Sequence, residues 1–329
     1  MPQPRSGDIV VKPSLVGDIG GTNARFALWR DERLEAVRVL VTADFADPQL
    51  AIAHYLAEQG LASGDIAALC LAVAGPVKGE HFRFTNNHWQ FARSELAAFL
   101  HLQPADLLVI NDFTAMALGM TRLRPQERLE ICPGVVEEDC PAVVIGPGTG
   151  LGVGTLLPLG GGHWRALPGE GGHVDLPIAT PREAQLWQAL HAQLGHVRAE
   201  DVLSGSGLLR LYRALCTVDG HPALLSSPAQ VTAAALAGDA LASSVLEQFC
   251  VWLGRAAGNC VLTLGARGGV YIVGGVVPRF ADFFRSSGFA RGFAEKGSMS
   301  RYLDGVPVWL VTAEYPGLEG AGVALQERT

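Results

Sequence analysis

The first third of the chain consists of short apolar runs separated by turn residues, a pattern typical of strands in an α/β fold. Apolar runs predict strands over 14–19, 24–29, 34–41, 67–74, 81–84 and 107–110. Apolar residues at helical spacing predict helices over 48–58 and 94–100. Because only short turns separate the first three strands, we expect the chain to begin with a β-meander.

The order of a strand, a Gly/Thr turn and a second strand occurs twice in the chain. It is present over 16–28 and again over 142–157, where the turn is Gly146–Gly150. We interpret this recurrence as an internal duplication that produces two similar α/β halves. Two such glycine hairpins facing each other across a cleft would hold a triphosphate from both sides.

After residue 180 the apolar spacing becomes mainly helical. Thr180–Glu183 has the pattern of a capping box with proline at N1, and Gly195 is expected to end that helix. Asp239 is expected to cap a long helix that runs to about Leu264. The remaining predictions are strands over 270–273 and 308–311, a helix that begins at Pro278 and a closing helix over 318–326.

The composition argues against several classes of protein. Hydrophobic residues make up 49% and charged residues 17% of the chain, which is enough to bury a core. The net charge is −7 and the basic residues are scattered, so a nucleic-acid partner is not expected. No apolar run approaches the roughly 20 residues of a membrane span, so no membrane partner is expected. Residues 1–13 lack the apolar segment of a signal peptide and are predicted to be a loose extension.

The cysteines have no metal-binding or redox spacing. None of the six belongs to a C-x-x-C motif, and three lie in apolar stretches. We expect reduced thiols in a cytosolic protein. Cys132 and Cys140 flank a predicted loop, and a disulfide between them stays open as an alternative.

The two glycine turns are candidate phosphate loops. Gly17, Asp18, Ile19, Gly20, Gly21 and Thr22 place a carboxylate at a strand end beside a turn whose N–H groups can converge on one phosphate. Asp18 is a candidate Mg²⁺ ligand through water, although a plain hairpin with a turn aspartate accounts for the same residues. The second loop, Gly146–Gly154, has more glycine than a hairpin requires. Strands flank it on both sides, so it is neither a Walker A loop nor a Rossmann fingerprint.

Polar residues that could bind a substrate occur in four other places. Asn111 and Asp112 follow a buried strand and begin a helix, where ligands of α/β sheets gather, although Asp112 could simply be the N-cap. Glu170 and His173 lie in a glycine-rich loop that suits a polyhydroxylated ligand better than zinc, because no further Cys/His cluster accompanies them. The segment Thr85–Trp89 suits a sugar face and an ordinary loop equally. On its pattern alone, Glu200 is interpreted as an acid on a surface helix.

Taken in order, these motifs resemble the bacterial glucokinase family of the hexokinase, actin and Hsp70 superfamily. The resemblance extends from about Leu15 to Leu325. The segments that carry it are LVGDIGGTNAR at 15–25, INDFTA at 110–115, GTGLG at 148–152, 167–175, VLSG at 202–205 and YIVGGVVPRF at 271–280.

The resemblance implies a duplicated, ribonuclease-H-like α/β fold of the actin and hexokinase type, with an interdomain cleft. The small domain would be 14–121 plus 314–329, and the large domain 122–313. The implied activity is ATP-dependent phosphorylation of D-glucose to glucose 6-phosphate, which feeds glycolysis. The implied partners and cofactors are D-glucose, ATP and Mg²⁺, and the implied protein is a cytoplasmic homodimer.

The resemblance also implies roles for individual residues. Asp112 matches the catalytic base. The positions that match glucose-binding residues are Asn86, Asn111, Asp112, Glu170, His173 and Glu200. Those that match the ATP site are Gly17, Asp18, Ile19, Gly20, Gly21, Thr22, Gly148, Thr149, Gly150, Gly274 and Gly275. Asn87 and His88 depart from the histidine and threonine expected at these positions.

Two other functions stay open at this point. One is a kinase for fructose, mannose or N-acetylglucosamine, although the chain lacks the Cys-rich zinc motif of the related repressor and kinase branch. The other is a non-catalytic sugar sensor. Such regulators carry an N-terminal helix-turn-helix, for which the 13 residues before the first strand are too few.

Overall fold

The computed structural model describes residues 12–75, 77–84 and 87–327, and two compact units divide the chain. One unit is Leu123–Glu314, and the other contains the rest of the described chain, up to Arg122 and from Tyr315. Most of the predicted loose extension lies outside the described residues. Lys12 and Pro13, its last two residues, are not loose, because they hydrogen-bond to Gly64 and Ala67.

The strands are short and most are buried. In chain order they are Ser14–Ile19 (β1), Asn23–Arg30 (β2), Arg33–Val41 (β3), Leu69–Val73 (β4), His81–Arg83 (β5), Gln90–Ala92 (β6), Leu107–Asn111 (β7), Arg128–Cys132 (β8), Ala142–Pro147 (β9), Leu151–Gly160 (β10), His163–Leu167 (β11), Val270–Ile272 (β12) and Val308–Val311 (β13).

The helices are concentrated in the second half of the chain. They are Pro48–Glu58 (α1), Arg93–Phe99 (α2), Asp112–Gly119 (α3), Pro181–Leu194 (α4), Gly205–Asp219 (α5), Pro228–Leu236 (α6), Ala240–Leu264 (α7), Ala281–Ser286 (α8), Phe289–Ala294 (α9) and Pro316–Gln326 (α10).

The first unit is built on a five-stranded sheet with the order β3-β2-β1-β4-β7. β1 pairs antiparallel with β2 and parallel with β4, which in turn pairs parallel with β7. All five side chains of β4 are buried, as expected for a parallel strand covered on both faces. The core of this unit gathers around Phe26, Tyr55 and Trp89.

The second unit repeats this topology. Its sheet has the order β11-β10-β9-β12-β13-β8, so the first five strands match the first unit one for one. β9 pairs antiparallel with β10 and parallel with β12, as β1 does with β2 and β4. The duplication predicted from the sequence is therefore confirmed.

The helices of the second unit follow the predicted capping. Thr180 accepts a hydrogen bond from the Glu183 N–H at the start of α4, and Gly195 ends that helix at φ 74°. Asp239 caps α7, the long helix at the centre of the core. Arg255 of α7 forms a buried ion pair with Glu183 at 2.7 Å. Desolvation alone would raise the pKa of Glu183, but the hydrogen bonds from Arg255, the Ala179 N–H and Gln248, together with the charge of Arg255, lower that pKa.

The loop predicted between Cys132 and Cys140 is confirmed, because Cys132 is the last residue of β8 and the next strand begins at Ala142. Two other predictions on this unit need correction. Pro278 opens only a short 3₁₀ turn, Val277–Phe280, before α8. The open disulfide alternative is wrong, because Cys132 and Cys140 are both free thiols.

Among the described residues, no single helix is both long and apolar enough to cross a bilayer. The pair α6 and α7, bent by 107° at their junction, meets the criteria of length and composition together. Both helices contribute buried residues to the core of the second unit.

Glycines allow α3 and α10 to pack backbone to backbone in the first unit. A Cβ on Gly119 would lie 2.0 Å from the Pro316 carbonyl oxygen, and one on Gly320 would lie 1.7 Å from the Ala115 oxygen. Atoms at these distances overlap, so any side chain would force the helices apart. This contact attaches the C-terminal helix to the unit formed by the first third of the chain.

The variant Gly320→Ala tests this close contact. We expect it to lower the free energy of unfolding by about 1–3 kcal/mol, the usual cost of overpacking a core. The control is Gly64→Ala, where the atoms nearest to an added Cβ lie 3.9 Å away, and it should stay within about 0.5 kcal/mol of the parent. Urea titrations followed by circular dichroism measure both. Equal effects of the two variants would contradict the contact.

Candidate active site

The candidate residues of the first unit lie at one edge of its sheet. Pairing places Ile19 of β1 beside Val73 of β4, and Val73 beside Asn111 of β7. Because these strands are parallel, the turn after β1, the segment after β4 and the start of α3 all follow carboxyl ends at this edge. Sites in open α/β sheets form at such edges.

The turn after β1 is held in one shape by hydrogen bonds to its carbonyl groups. The Gly20 N–H donates to the Asn23 carbonyl at 2.9 Å and closes the turn. The Thr42 hydroxyl contacts the Gly21 and Thr22 carbonyl oxygens at 3.0 Å, and the Asn87 amide donates to the Gly20 carbonyl at 3.0 Å. Carbonyl groups fixed in this way orient the neighbouring peptide N–H groups, as a phosphate-binding turn requires.

Gly17 and Ile19 face the core rather than the turn. A Cβ on Gly17 would come within 2.7 Å of the Leu71 side chain, so packing alone demands a glycine here. Ile19 is 1% exposed. A nucleotide would meet these two residues through their backbone.

Asp18 projects from β1 beside the turn and forms an ion pair with Arg25 of β2 at 3.3 Å. Desolvation raises the pKa of this carboxyl above its ordinary value, although the charge and hydrogen bond of Arg25 oppose the shift. No group of three or more His, Cys, Asp or Glu residues arranged for a metal exists among the described residues. A single carboxylate is compatible with the usual coordination of Mg²⁺ in proteins, in which waters and substrate phosphates provide the remaining ligands.

Asn111, not Asp112, is the N-cap of α3. Its Oδ1 accepts from the N–H groups of Phe113 and Thr114 at 2.9 and 3.2 Å, and its Nδ2 donates to the Gly75 carbonyl. Asp112 occupies the first helical position, and its Oδ1 accepts from the Phe113 N–H at 2.9 Å. The interpretation of Asp112 as a simple N-cap is therefore wrong. Its carboxylate belongs to the first turn of the helix, where the macrodipole favours negative charge.

The second glycine turn is anchored by neighbouring backbone. The Gly148 carbonyl accepts from the N–H of Gly205, the first residue of α5, at 2.8 Å. After β12, a Cβ on Gly274 would lie 2.5 Å from the Pro147 carbonyl oxygen, so the turn after β12 touches the end of β9. By contrast, an added Cβ on Gly275 meets nothing within 4 Å. The predicted nucleotide residues Gly148, Thr149, Gly150 and Gly274 thus lie at one edge of the sheet.

Glu170, His173 and Glu200 converge in this unit. His173 lies with its Nδ1 3.8 Å from Glu170 and its Nε2 3.7 Å from Glu200. Its loop packs tightly on β10, because a Cβ on Gly172 would come within 1.9 Å of the Leu151 carbonyl oxygen. The side chain of Glu170 is 65% exposed, whereas that of Glu200 is 25% exposed.

Glu200 is not an acid on a surface helix, which corrects the interpretation from its pattern alone. It lies in the 3₁₀ turn Ala199–Asp201, and its Oε2 accepts from the Leu151 N–H at 3.1 Å. Arg198 lies with its Nη1 3.6 Å from Glu200 Oε1. A buried backbone contact on one side and a cation on the other explain why this side chain points inward.

Sequence reasoning missed the residues that support the site. Thr42 and Asn87 hold the first turn, and Arg198 and Gly205 hold groups around the second. Asn87 and Gly205 lie in segments quoted above, but their supporting contacts, like those of Thr42, join residues distant in the chain, which a local pattern does not reveal. Asn86, a predicted sugar ligand, lies outside the described residues.

Known proteins share the sequence and the fold of this chain. The sequence model of the glucokinase family matches residues 15–328. A glucokinase of Pseudomonas aeruginosa strain LESB58 is 56% identical over 314 residues, which cover 95% of this chain and 94% of that protein. The crystal structure of a glucokinase from an Antarctic psychrotroph is 38% identical, with a TM-score of 0.87 over 96% of this chain and 99% of that one.

A more distant structure shares the fold. Glucokinase from Balamuthia mandrillaris, solved in complex with glucose, is 22% identical, with a TM-score of 0.78 over 97% of this chain and 95% of that one. The duplicated sheets and these matches define a hexose kinase with the two-domain α/β fold of the actin and hexokinase type. The chain belongs to the glucokinase family.

The capping role of Asn111 is tested by stability. Asn111→Ala removes the acceptor of two helix N–H groups and should lower the free energy of unfolding by about 0.5–2 kcal/mol. Asp112→Ala is the matched variant one residue on, and it should cost less, because Asp112 is in the first turn and is not the cap. Thermal and urea unfolding measure both. A larger loss for Asp112→Ala than for Asn111→Ala would place the cap on Asp112.

Proposed function

We propose that this chain transfers the γ-phosphoryl group of ATP to the 6-hydroxyl of D-glucose, with Asp112 as the general base. The observation that carries the proposal is the Asp112 carboxylate, which follows β7 at the same edge of the sheet as the turn after β1, while Asn111 caps the helix. The 56% identity with a glucokinase over 95% of the chain supports glucose as the sugar.

The proposed glucose ligands are polar groups suited to sugar hydroxyls. In the first unit they are Asn86, Asn111 and Asp112, and in the second they are Glu170, His173 and Glu200. Carboxylates accept hydrogen bonds from hydroxyl groups, whereas imidazole and amide groups can both donate and accept. A buried sugar needs such partners, because each unpaired hydroxyl costs free energy.

The proposed nucleotide site uses the two glycine turns. Gly20, Gly21 and Thr22 would present N–H groups to the phosphates from the first unit, and Gly148, Thr149 and Gly150 from the second. Gly274 and Gly275 would lie beside the adenosine. Asp18 would hold Mg²⁺ through water, and the ion would neutralise the charge that develops on the phosphates.

The proposed reaction is an in-line displacement at the γ-phosphorus. The 6-hydroxyl oxygen of glucose forms the new bond to phosphorus while the bond to the oxygen between the β- and γ-phosphates breaks, and ADP leaves. Asp112 accepts a hydrogen bond from the 6-hydroxyl, orients its lone pair and takes its proton late in the transfer. The products are glucose 6-phosphate, ADP and a proton that Asp112 passes to solvent.

Two further features are proposed on the family resemblance. The protein would act as a homodimer, and it would work in the cytoplasm with D-glucose and ATP as its partners, without a nucleic-acid or membrane partner. The net charge of −7 is consistent with the absence of a nucleic-acid partner.

The variant Asp112→Asn tests the proposed function. Asparagine keeps the shape but cannot take the proton, so kcat should fall by about 10²–10⁴-fold, the usual contribution of a general base. Glucose should still bind within about tenfold, or ~1.4 kcal/mol, of the parent. Coupled ADP release measures kcat, and calorimetry measures the affinity.

The control is Asp304→Asn, which removes an exposed carboxylate of the second unit and should leave kcat unchanged. A near-normal kcat for Asp112→Asn would remove Asp112 from the chemistry.

A further inference from the structure

Leu151 is the first residue of β10. Both its N–H and its carbonyl oxygen contact the segments that carry the proposed glucose residues. Its N–H donates to Glu200 Oε2 at 3.1 Å. Its carbonyl oxygen lies against Gly172, where an added Cβ would come within 1.9 Å. Leu151 directly follows Gly148–Gly150, so the second phosphate loop and the proposed sugar loop share this one residue as support.

The two oxygen atoms of Glu200 face different partners. Oε2 is bound by the Leu151 N–H, whereas Oε1 faces His173 Nε2 at 3.7 Å and Arg198 Nη1 at 3.6 Å. An ionised carboxylate has about four lone-pair sites on two oxygens. It can therefore accept from the loop N–H and from a sugar hydroxyl at the same time.

Arg198 is held by Asp201 in a position that places one of its nitrogens beside Glu200. Its Nε and Nη2 bind the two oxygens of Asp201 at 3.1 and 2.8 Å. Desolvation alone would raise the pKa of Asp201, but the hydrogen bonds and the charge of Arg198, together with the charge of Arg210, lower that pKa, so the pair stays ionised at neutral pH. Because guanidinium is a rigid planar fork, binding two of its nitrogens also sets the position of Nη1, which faces Glu200.

We infer that Glu200 couples the proposed glucose site to the second phosphate loop, and that Arg198 is the positioning residue for this carboxylate. The inference rests on the proposed function for the identity of the two ligands. A glucose hydroxyl bound to Oε1 would fix the position of the Glu200 carboxylate. Because Oε2 of the same carboxylate accepts from the Leu151 N–H, the phosphate loop that precedes Leu151 would be fixed as well. Glucose should then raise the affinity for ATP, and by linkage ATP should raise the affinity for glucose by the same factor.

Two glycines of the loop provide a matched pair for testing the coupling. A Cβ on Gly150 would lie 2.2 Å from Glu200 Oε2, whereas a Cβ on Gly148 meets nothing within 4 Å. Gly150→Ala should therefore push the carboxylate off the Leu151 N–H, while Gly148→Ala adds the same methyl group two residues away without touching Glu200.

The first experiment measures glucose binding to the full chain by calorimetry with no nucleotide present. With no nucleotide present, a substitution in the phosphate loop can alter glucose affinity only through its contact with the proposed glucose residues, here Glu200. We expect Gly150→Ala to weaken glucose binding at least fivefold and Gly148→Ala to stay within twofold of the parent. Parent-like glucose affinity in a folded Gly150→Ala variant would overturn the coupling.

The second experiment uses the arginines and does not depend on the glycine variants. Arg210 also contacts Asp201, through the backbone carbonyl and the carboxylate, so Arg210→Met is the control for Arg198→Met. The measured quantity is the dissociation constant of a non-hydrolysable ATP analogue in the presence of Mg²⁺. The ratio is its value without glucose divided by its value with saturating glucose. We expect a ratio of at least five in the parent and in Arg210→Met, a reduction of at least threefold in Arg198→Met, and partial recovery in Arg198→Lys.

A parent ratio of one, or equal ratios in the parent and Arg198→Met, would overturn the inference. Failure of the proposed function gives a different result, because the parent would then show no glucose-dependent release of ADP. Normal ADP release together with unchanged ratios would overturn the coupling alone.

Discussion

Both units depend on the same strand pairing: the first strand of a glycine hairpin also pairs, in parallel, with a buried strand. In the first unit, β1 is antiparallel to β2 on one side and parallel to β4 on the other, and β9 has the same relation to β10 and β12. Since parallel strands end at the same edge of a sheet, each hairpin turn lies beside the residues that follow the neighbouring strands. Gly274 follows β12, the neighbour of β9, and Asp112 follows β7, one strand beyond the neighbour of β1, although each lies more than 80 residues from its hairpin in the chain.

Close backbone contacts then give the glycine turns a fixed shape. Gly274 touches the Pro147 carbonyl, and Gly172 touches that of Leu151, at distances that no side chain would permit. Thr42 and Asn87 hold the first turn through its carbonyl oxygens. A turn preorganised in this manner loses little entropy when phosphate binds, which favours affinity. Packing alone therefore requires glycine at Gly172 and Gly274.

Much of the fold followed from the sequence because its signals are local. Alternating apolar runs, the capping box at Thr180 and the glycine after α4 predicted elements that the structure confirms. The recurring hairpin predicted the duplication. The errors have a common physical cause: β8, the inward position of Glu200 and the cap at Asn111 depend on partners distant in sequence, such as Val311 for β8 and Leu151 for Glu200. Short-range patterns contain no information about such partners.

The central claim is that ATP phosphorylates the 6-hydroxyl of glucose on this chain. The most direct measurement is steady-state ADP release with ATP and Mg²⁺ over a panel of glucose, fructose, mannose, N-acetylglucosamine and 6-deoxyglucose. The account predicts the highest kcat/KM for glucose, with glucose 6-phosphate as the product, and no stimulation by 6-deoxyglucose, which lacks the acceptor oxygen. A higher kcat/KM for another hexose, or equal ADP release with glucose and 6-deoxyglucose, would contradict it.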